Sequence, residues 1–362
     1  MDRRRFLVGV AGLAATLTSC DGNAATALRL RSLKNSIPQQ LLGEFHRQFK
    51  TAIDLKPDEQ LSTLFSHLQT WKQQPKPSEP VPDLVTLGDY WLSTAIRQGL
   101  IQPIEAKALP QWNQLPDLWQ AIATRNDQGL IDPKGKIWGA PYRWGGTVIV
   151  YRADIFRDRR LQPPTDWADL WRPELKRRIS LLDQPRETIG LTLKKLGKSY
   201  NLQDLRSVPN LEAELEQLHQ QAKFYSSDHY LQPLLLGDTW VAVGWSNEVF
   251  QTQRRNNELA AVFPRSGTAL WADLWVRPAV AAGDRQTLLT DWVNFLWQPE
   301  TAQQLSRLSY GASPMLQALK DAPDIQAFLP DPEARRRSEF LQPLAEASAT
   351  LYRQLWERVR RR

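Results

Sequence analysis

From Ala27 onward the apolar positions of this chain switch repeatedly between a strand period and a helix period. Ala27 to Leu33 predicts a strand. Leu41, Leu42, Phe45 and Phe49 then fall on one helical face, and Leu61, Leu64, Phe65, Leu68 and Trp71 on a second. KQQPKPSEPVPD (72–83) holds four prolines between Pro75 and Pro82, which marks a surface loop. DLVTLG reads as a short buried strand, and Trp91, Leu92, Ala95 and Ile96 predict a helix ended by Gly99.

The rhythm then restarts. GTVIVYR (146–152) and RISLLD (178–183) predict strands, with TDWADLW as a short capped helix between them. ETIGLTLKKLG and LEAELEQLHQQAK (211–223) predict helices, the second with an acidic first half that suits the helix dipole. VAVGW and LAAVFP are strands again. Leu288–Trp297 and Glu300–Leu308 are expected as helices, and Glu333–Arg362 as mostly helical and highly charged. No fixed repeat period is present. A βαβ rhythm that starts twice in 362 residues predicts an α/β protein with two lobes, each a sheet covered by helices.

Composition narrows the function. Apolar residues make up 42% of the chain and charged residues 23%, a globular balance. The net charge of +7 comes from 46 Lys+Arg against 39 Asp+Glu, but the basic clusters are terminal: Arg3–Arg5, Arg335–Arg337 and Arg358–Arg362. A nucleic-acid binder needs a basic stripe interleaved with aromatics along one element, and none is present. Fifteen tryptophans exceed what recognition alone uses, so most are expected in the core.

The start reads as an export signal: a basic run, 14 mostly apolar residues from Phe6 to Ser19, and the chain's one cysteine, Cys20. Fourteen residues are too few to span a bilayer. Arg3-Arg4-Arg5-Phe6-Leu7 resembles a twin-arginine signal, and Leu17-Thr18-Ser19-Cys20 resembles a bacterial lipobox. On that reading residues 1–20 are a signal peptide with lipobox, Cys20 is lipidated, and the mature protein sits in the periplasm on a membrane anchor.

Catalytic constellations are missing. The four histidines (His46, His67, His219, His229) have no metal-type spacing, and there is no G-x-S-x-G, H-E-x-x-H or G-x-G-x-x-G. GKS (197–199) looks like the end of a phosphate loop, but Thr192 stands where that loop needs glycine, so Gly197 reads as a helix C-cap. No enzyme, metal or cofactor is expected.

One run does point to a ligand. If LWADLW is a strand, Trp271, Asp273 and Trp275 share a face and Leu270, Ala272, Leu274 and Val276 the other. A carboxylate between indoles suits an organic cation, by charge pairing and cation–π attraction. It equally suits an aspartate satisfied by a nearby arginine or by backbone amides, and the spacing alone leaves both open.

PYRWGGTVIVYR (141–152), DWADLWRPELKRRISLLDQPRETIGLTLKKLGKSYN (166–201), VAVGWSNEVF and LWADLWVRP resemble segments of the spermidine/putrescine-binding proteins of ABC importers. PDLVTLGDYWLSTAIRQGLIQPIE (82–105) is similar to the same family's second strand and following helix. The resemblance implies a two-lobed periplasmic-binding-protein fold of type II, each lobe a mixed sheet flanked by helices. Two crossover hinges are implied, near Tyr142–Gly145 and Asp273–Trp275. Lobe 1 would comprise 27–142 and 274–314, and lobe 2 143–273 and 315–362. Carried over by motif, Trp245 and Trp271 would be aromatic walls, Asp273 the amine anchor, Glu187 a second anchor and Tyr90 a lobe-1 wall. Each has a plainer reading: Trp245 and Trp271 as core, Glu187 as a complement to its helix dipole, and Tyr90 as packing under a loop.

Several positions depart from the family pattern. Gln184 stands where a second carboxylate is usual, and Gly88 where a serine is, with Asp89 beside it as a substitute. Asn35 and Ser36 replace an aromatic pair. The expectation is a monomeric solute-binding lipoprotein that carries a small amine such as spermidine or putrescine to a permease and ATPase. The rivals are a different solute in the same fold (a thiamine-like cation, a metal complex or an anion) and a non-transport sensor or scaffold. An anion would need Arg143 or Arg186 turned into the cleft.

Overall fold

The computed structural model describes residues 27–74, 79–282, 285–316, 323–327 and 329–361. The export signal, the lipobox and Cys20 lie outside these residues. No described helix is long and apolar enough to cross a membrane.

Two long strands, Ala140–Arg152 and Ala269–Pro278, run antiparallel through the middle of the molecule. Leu84–Gly88 pairs antiparallel with the second of them, and Leu28–Leu33 and then Ile53–Asp58 continue that side in parallel. On the other side Val241–Trp245 pairs antiparallel with Ala140–Arg152, followed in parallel by Ile179–Leu181 and Ala222–Tyr225. One continuous mixed sheet therefore serves both lobes, and the two long strands are the crossovers. The register slips between Asp273 and Leu274, where Asp273 opposes Arg143 but Leu274 opposes Pro141. An extra residue at such a slip bends the ribbon, which lets one pair of strands turn from one lobe into the other.

Separate cores hold the two lobes. In the first, Leu28, Leu30, Leu84, Val85 and Leu87 of the sheet pack under Leu41, Phe45, Leu64, Leu68, Leu92 and Trp292. In the second, Ile149, Ile179, Leu181, Val241 and Val243 pack with Phe156, Trp167 and Leu191. The last helix, Glu346–Arg360, adds Tyr352, Leu355 and Val359 to a layer with Ile189, Leu193, Leu211 and Leu215. Burial on both faces explains the near-continuous apolar runs of these strands.

Four local expectations are corrected. Ile53–Asp58 is a strand that the hydrophobic pattern did not reveal: it is the sheet edge, half-exposed, and contains Pro57, which an edge tolerates. The helix before the proline loop runs on to Gln73. The stretch from Glu333 is broken: a helix at Pro332–Arg337, a short strand Glu339–Phe340 pairing with Ala269–Leu270, then the last helix. Ile325 and Leu329, expected in the second lobe, lie in the first core. Gly197 follows a helix with φ +69°, and Lys198 N–H closes on the Leu193 carbonyl at 2.8 Å, a C-terminal cap and no phosphate loop.

Candidate functional site

A cleft of about 740 Å³ lies between the lobes, over the crossover strands. All seven residues expected at a ligand site line it: Tyr90 and Asp89, Gln184 and Glu187, Trp245, Trp271 and Asp273. Asn35 and Ser36 do not line it; Leu33, Leu61 and Trp91 do.

Strand-to-helix turns bring these side chains together. Leu84–Gly88 leads into the helix Asp89–Arg97, Ile179–Leu181 into Pro185–Lys195 across a three-residue turn, and Val241–Trp245 into Ser246–Gln253. None of the three helices has a side-chain cap, and each carries an acid in its first turn: Asp89, Glu187 and Glu248. A carboxylate there complements the uncapped N–H groups and the helix dipole. In this way lobe 1 contributes Asp89 and lobe 2 contributes Glu187 and Glu248 to one opening.

Asp89 is 4% exposed and accepts a hydrogen bond from the Ala272 N–H of the crossover at 3.0 Å. Glu187 is 5% exposed and accepts from Thr147 Oγ1 at 3.1 Å. Burial pushes both carboxyls up to about 7. The Ala272 N–H and Arg125 work against that rise at Asp89, and Thr147 and Arg186 at Glu187, while the Asp273 carboxylate adds to it at Asp89 and the Asp89 carboxylate adds to it at Glu187. Glu248 accepts from the Tyr230 hydroxyl at 2.7 Å, and its carboxyl is also raised by burial. Among the described residues none of these three makes an ion pair.

Asp273 is different. It is 2% exposed, and its Oδ2 takes hydrogen bonds from Arg143 Nε at 2.9 Å and a terminal nitrogen at 2.6 Å. Of the two readings the spacing left open, the ion-paired aspartate is the one the structure contains. Trp275 is not a cleft wall either. It is fully buried in lobe 1, stacked on Tyr142 at 5.0 Å and edge-on to Trp292 at 6.1 Å. The face that is open at Trp271 is covered by these rings where the strand enters the first core.

Trp271 and Trp245 are half-buried walls; Trp271 donates to the Gly146 carbonyl at 3.3 Å, and Trp245 meets Tyr230 edge to face at 5.9 Å. Tyr90 is 39% exposed and lies against Trp91, which stacks on Phe65 at 4.2 Å. Gln184 begins its helix without capping it. The second arginine of the anion reading, Arg186, donates to the carbonyls of Gln342 (2.9 Å) and Tyr200 (3.3 Å) and to Asn201 (3.0 Å), with its Nε buried unpaired. Arg143 is thus committed to a carboxylate, while the terminal nitrogens of Arg186 are spent on neutral oxygens of the second lobe.

Glu248 was not singled out from the sequence. Its signal was present: an acid three positions after Trp245, in the first turn of a helix that starts where a strand ends.

Comparison with known proteins places this geometry. The family model described as bacterial extracellular solute-binding protein matches residues 79–334. The spermidine/putrescine-binding periplasmic protein of Salmonella typhimurium is 25% identical over 361 residues, 98% of either chain. Among solved structures, a spermidine/putrescine ABC transporter substrate-binding protein, PotD from Streptococcus pneumoniae, superposes with a TM-score of 0.78 at 22% identity, covering 93% of this chain and 99% of that one. The Tp0655 lipoprotein of Treponema pallidum gives a TM-score of 0.72 at 18% identity, over 93% and 100%.

Proposed function

The chain belongs to the bacterial extracellular solute-binding proteins, non-enzymatic components of transport, and from that premise we propose that its cleft carries a small organic amine to an ABC permease. One observation supports this reading above the others. Two buried carboxylates from opposite lobes, Asp89 and Glu187, share an aromatic-walled cleft without an ion-pair partner among the described residues. Burial penalises the charge on each, Asp89 adds repulsion at Glu187, and a cation between them relieves these costs. Trp245, Trp271 and Tyr90 supply ring faces for the methylenes and for cation–π contact.

Hydrogen bonds to a charged group are worth about 1.5–3 kcal/mol each, and a desolvated cation–π contact about 2 kcal/mol. Two anchors and one or two walls give roughly 8 kcal/mol, the micromolar range, before the cost of association. The polyamines named for the full-length relatives fit this chemistry, because their ammonium groups meet Asp89, Glu187 and Glu248, carboxylates with no ion pair among the described residues. An anionic solute is less well supported, since Arg143 is committed to Asp273 and the terminal nitrogens of Arg186 to oxygens of the second lobe.

We further propose that the mature chain is held at the membrane by lipid on Cys20, as the lipobox order implies. The related Treponema protein carries the word lipoprotein in its description. Cys20→Ala should move the protein from the membrane fraction to the soluble periplasm; retention at the membrane would remove the anchor.

The test of the ligand class is calorimetric titration of the mature chain with putrescine, spermidine, and an anion such as glutamate. Micromolar heat with an amine and none with the anion is expected. Heat with the anion alone would overturn the cationic reading.

A further inference from the structure

The floor of the cleft carries a feature that binding of a cation does not by itself require. Arg143 and Asp273 face each other across the two crossover strands, as a register pair. The Arg143 guanidinium makes both of its short hydrogen bonds to Asp273 Oδ2, sits 5.5 Å from the Trp271 ring centroid, and reaches the Ser309 carbonyl at 3.4 Å. It is 1% exposed, and its stem lies so close to the next connection that a Cβ on Gly311 would stand 2.5 Å from Arg143 Cγ. A carboxylate beside an indole, filled by a desolvated cation, is what an alkylammonium site looks like when occupied. Here the cation belongs to the protein.

We infer that Arg143 is a specificity-determining residue: a built-in cation that fills the Asp273–Trp271 subsite and thereby limits the ligand to the ammonium groups that Asp89, Glu187 and their neighbours can take. The inference rests on the cationic reading of the cleft. Asp273 is then neutralised from within and offers no partner to an ammonium group that reaches the floor. Displacing the guanidinium would strip it of Asp273, Ser309 and Trp271 together, a cost that an incoming ammonium cannot recover while Arg143 remains covalently beside the site. A shorter ligand with fewer charges avoids that cost. The discrimination arises from the incumbent charge, a repulsive element set against the wrong ligand.

The experiment compares the wild type with Arg143→Met, which keeps an apolar stem against Trp271 and removes the charge. Dissociation constants for putrescine and spermidine are measured by calorimetry, and melting temperatures with and without millimolar methylguanidinium. In R143M the spermidine-to-putrescine affinity ratio should rise about tenfold or more, and methylguanidinium should recover part of the lost melting temperature. The double variant Arg143→Met, Asp273→Leu replaces the pair by apolar groups, keeps the fold if R143M does not, and should show neither the gain nor the recovery. An unchanged ratio in R143M overturns the inference, as does an equal gain in the double variant. If the wild type binds no amine, the cationic reading fails. Methylguanidinium recovery in R143M and not in the double variant would then still show an internal cation at a cation subsite, and its absence would remove that too.

Discussion

Glu187→Gln separates the two roles open to that residue, ligand anchor and helix-start complement. The substitution is isosteric, and Thr147 Oγ1 can still donate to the amide oxygen as it does to Glu187 Oε2. Only the charge is lost. Burial lifts the Glu187 carboxyl from 4.5 to about 7. At about 1.4 kcal/mol per unit, holding it ionised costs the fold about 3 kcal/mol. The sign is fixed by proton counting. Between about pH 4.5 and 7 the folded chain keeps a proton that the unfolded chain has released, so this group's contribution falls as pH rises. Without added ligand, E187Q should therefore melt at the same temperature as the wild type near pH 4.5 and above it at pH 8. Binding should move the other way. Losing a charge-assisted hydrogen bond of about 1.5–3 kcal/mol weakens putrescine by about tenfold to a hundredfold. Melting curves at the two pH values and calorimetric titration at pH 8 read both effects. A variant that gains stability at pH 8 but binds putrescine as tightly as a binding-competent wild type would refute the anchor and leave Glu187 as a helix-start carboxylate.

Three further outcomes follow from the same geometry. Amine affinity should strengthen as pH rises from 6 to 8, because Asp89 and Glu187, both raised to about 7, must ionise to hold a cation; titration at the two pH values checks this, and a flat profile would contradict it. Trp245→Ala removes a cleft wall and should weaken an amine by about 2 kcal/mol, roughly thirtyfold, with a matching loss of ligand-induced change in tryptophan fluorescence. Gly244→Ala would place a Cβ 1.8 Å from the Tyr230 ring, the group that holds Glu248 and the Trp245 N–H. Overpacking of about 1–3 kcal/mol should lower the melting temperature, and amine binding should weaken with it.

Much of the fold was legible because its helices carry wide apolar stripes and its inner strands are apolar throughout. The edge strand Ile53–Asp58 escaped because its residues are half-exposed and it contains proline. The break between Arg337 and Glu346 escaped because a run of charge looks alike on a helix and on a surface connection. The cleft residues came from the family resemblance, carried over by motif, and strand–turn–helix order then sets Asp89 and Glu187 at helix starts and Trp245 at a strand end. Pairing was not reachable. Asp273 and Arg143 are 130 residues apart, and only the antiparallel register and its bulge bring them face to face. The alternation that put Trp275 beside Asp273 was sound as strand geometry. It could not show that the strand leaves the cleft for the first core between them.

The most direct measurement is a crystal structure of the mature chain grown with putrescine. The account predicts ammonium nitrogens about 3 Å from oxygens of Asp89 and Glu187, with the chain of methylenes between the Trp245, Trp271 and Tyr90 rings. Density for the ligand elsewhere in the cleft, with both carboxylates out of hydrogen-bond reach of it, would contradict it.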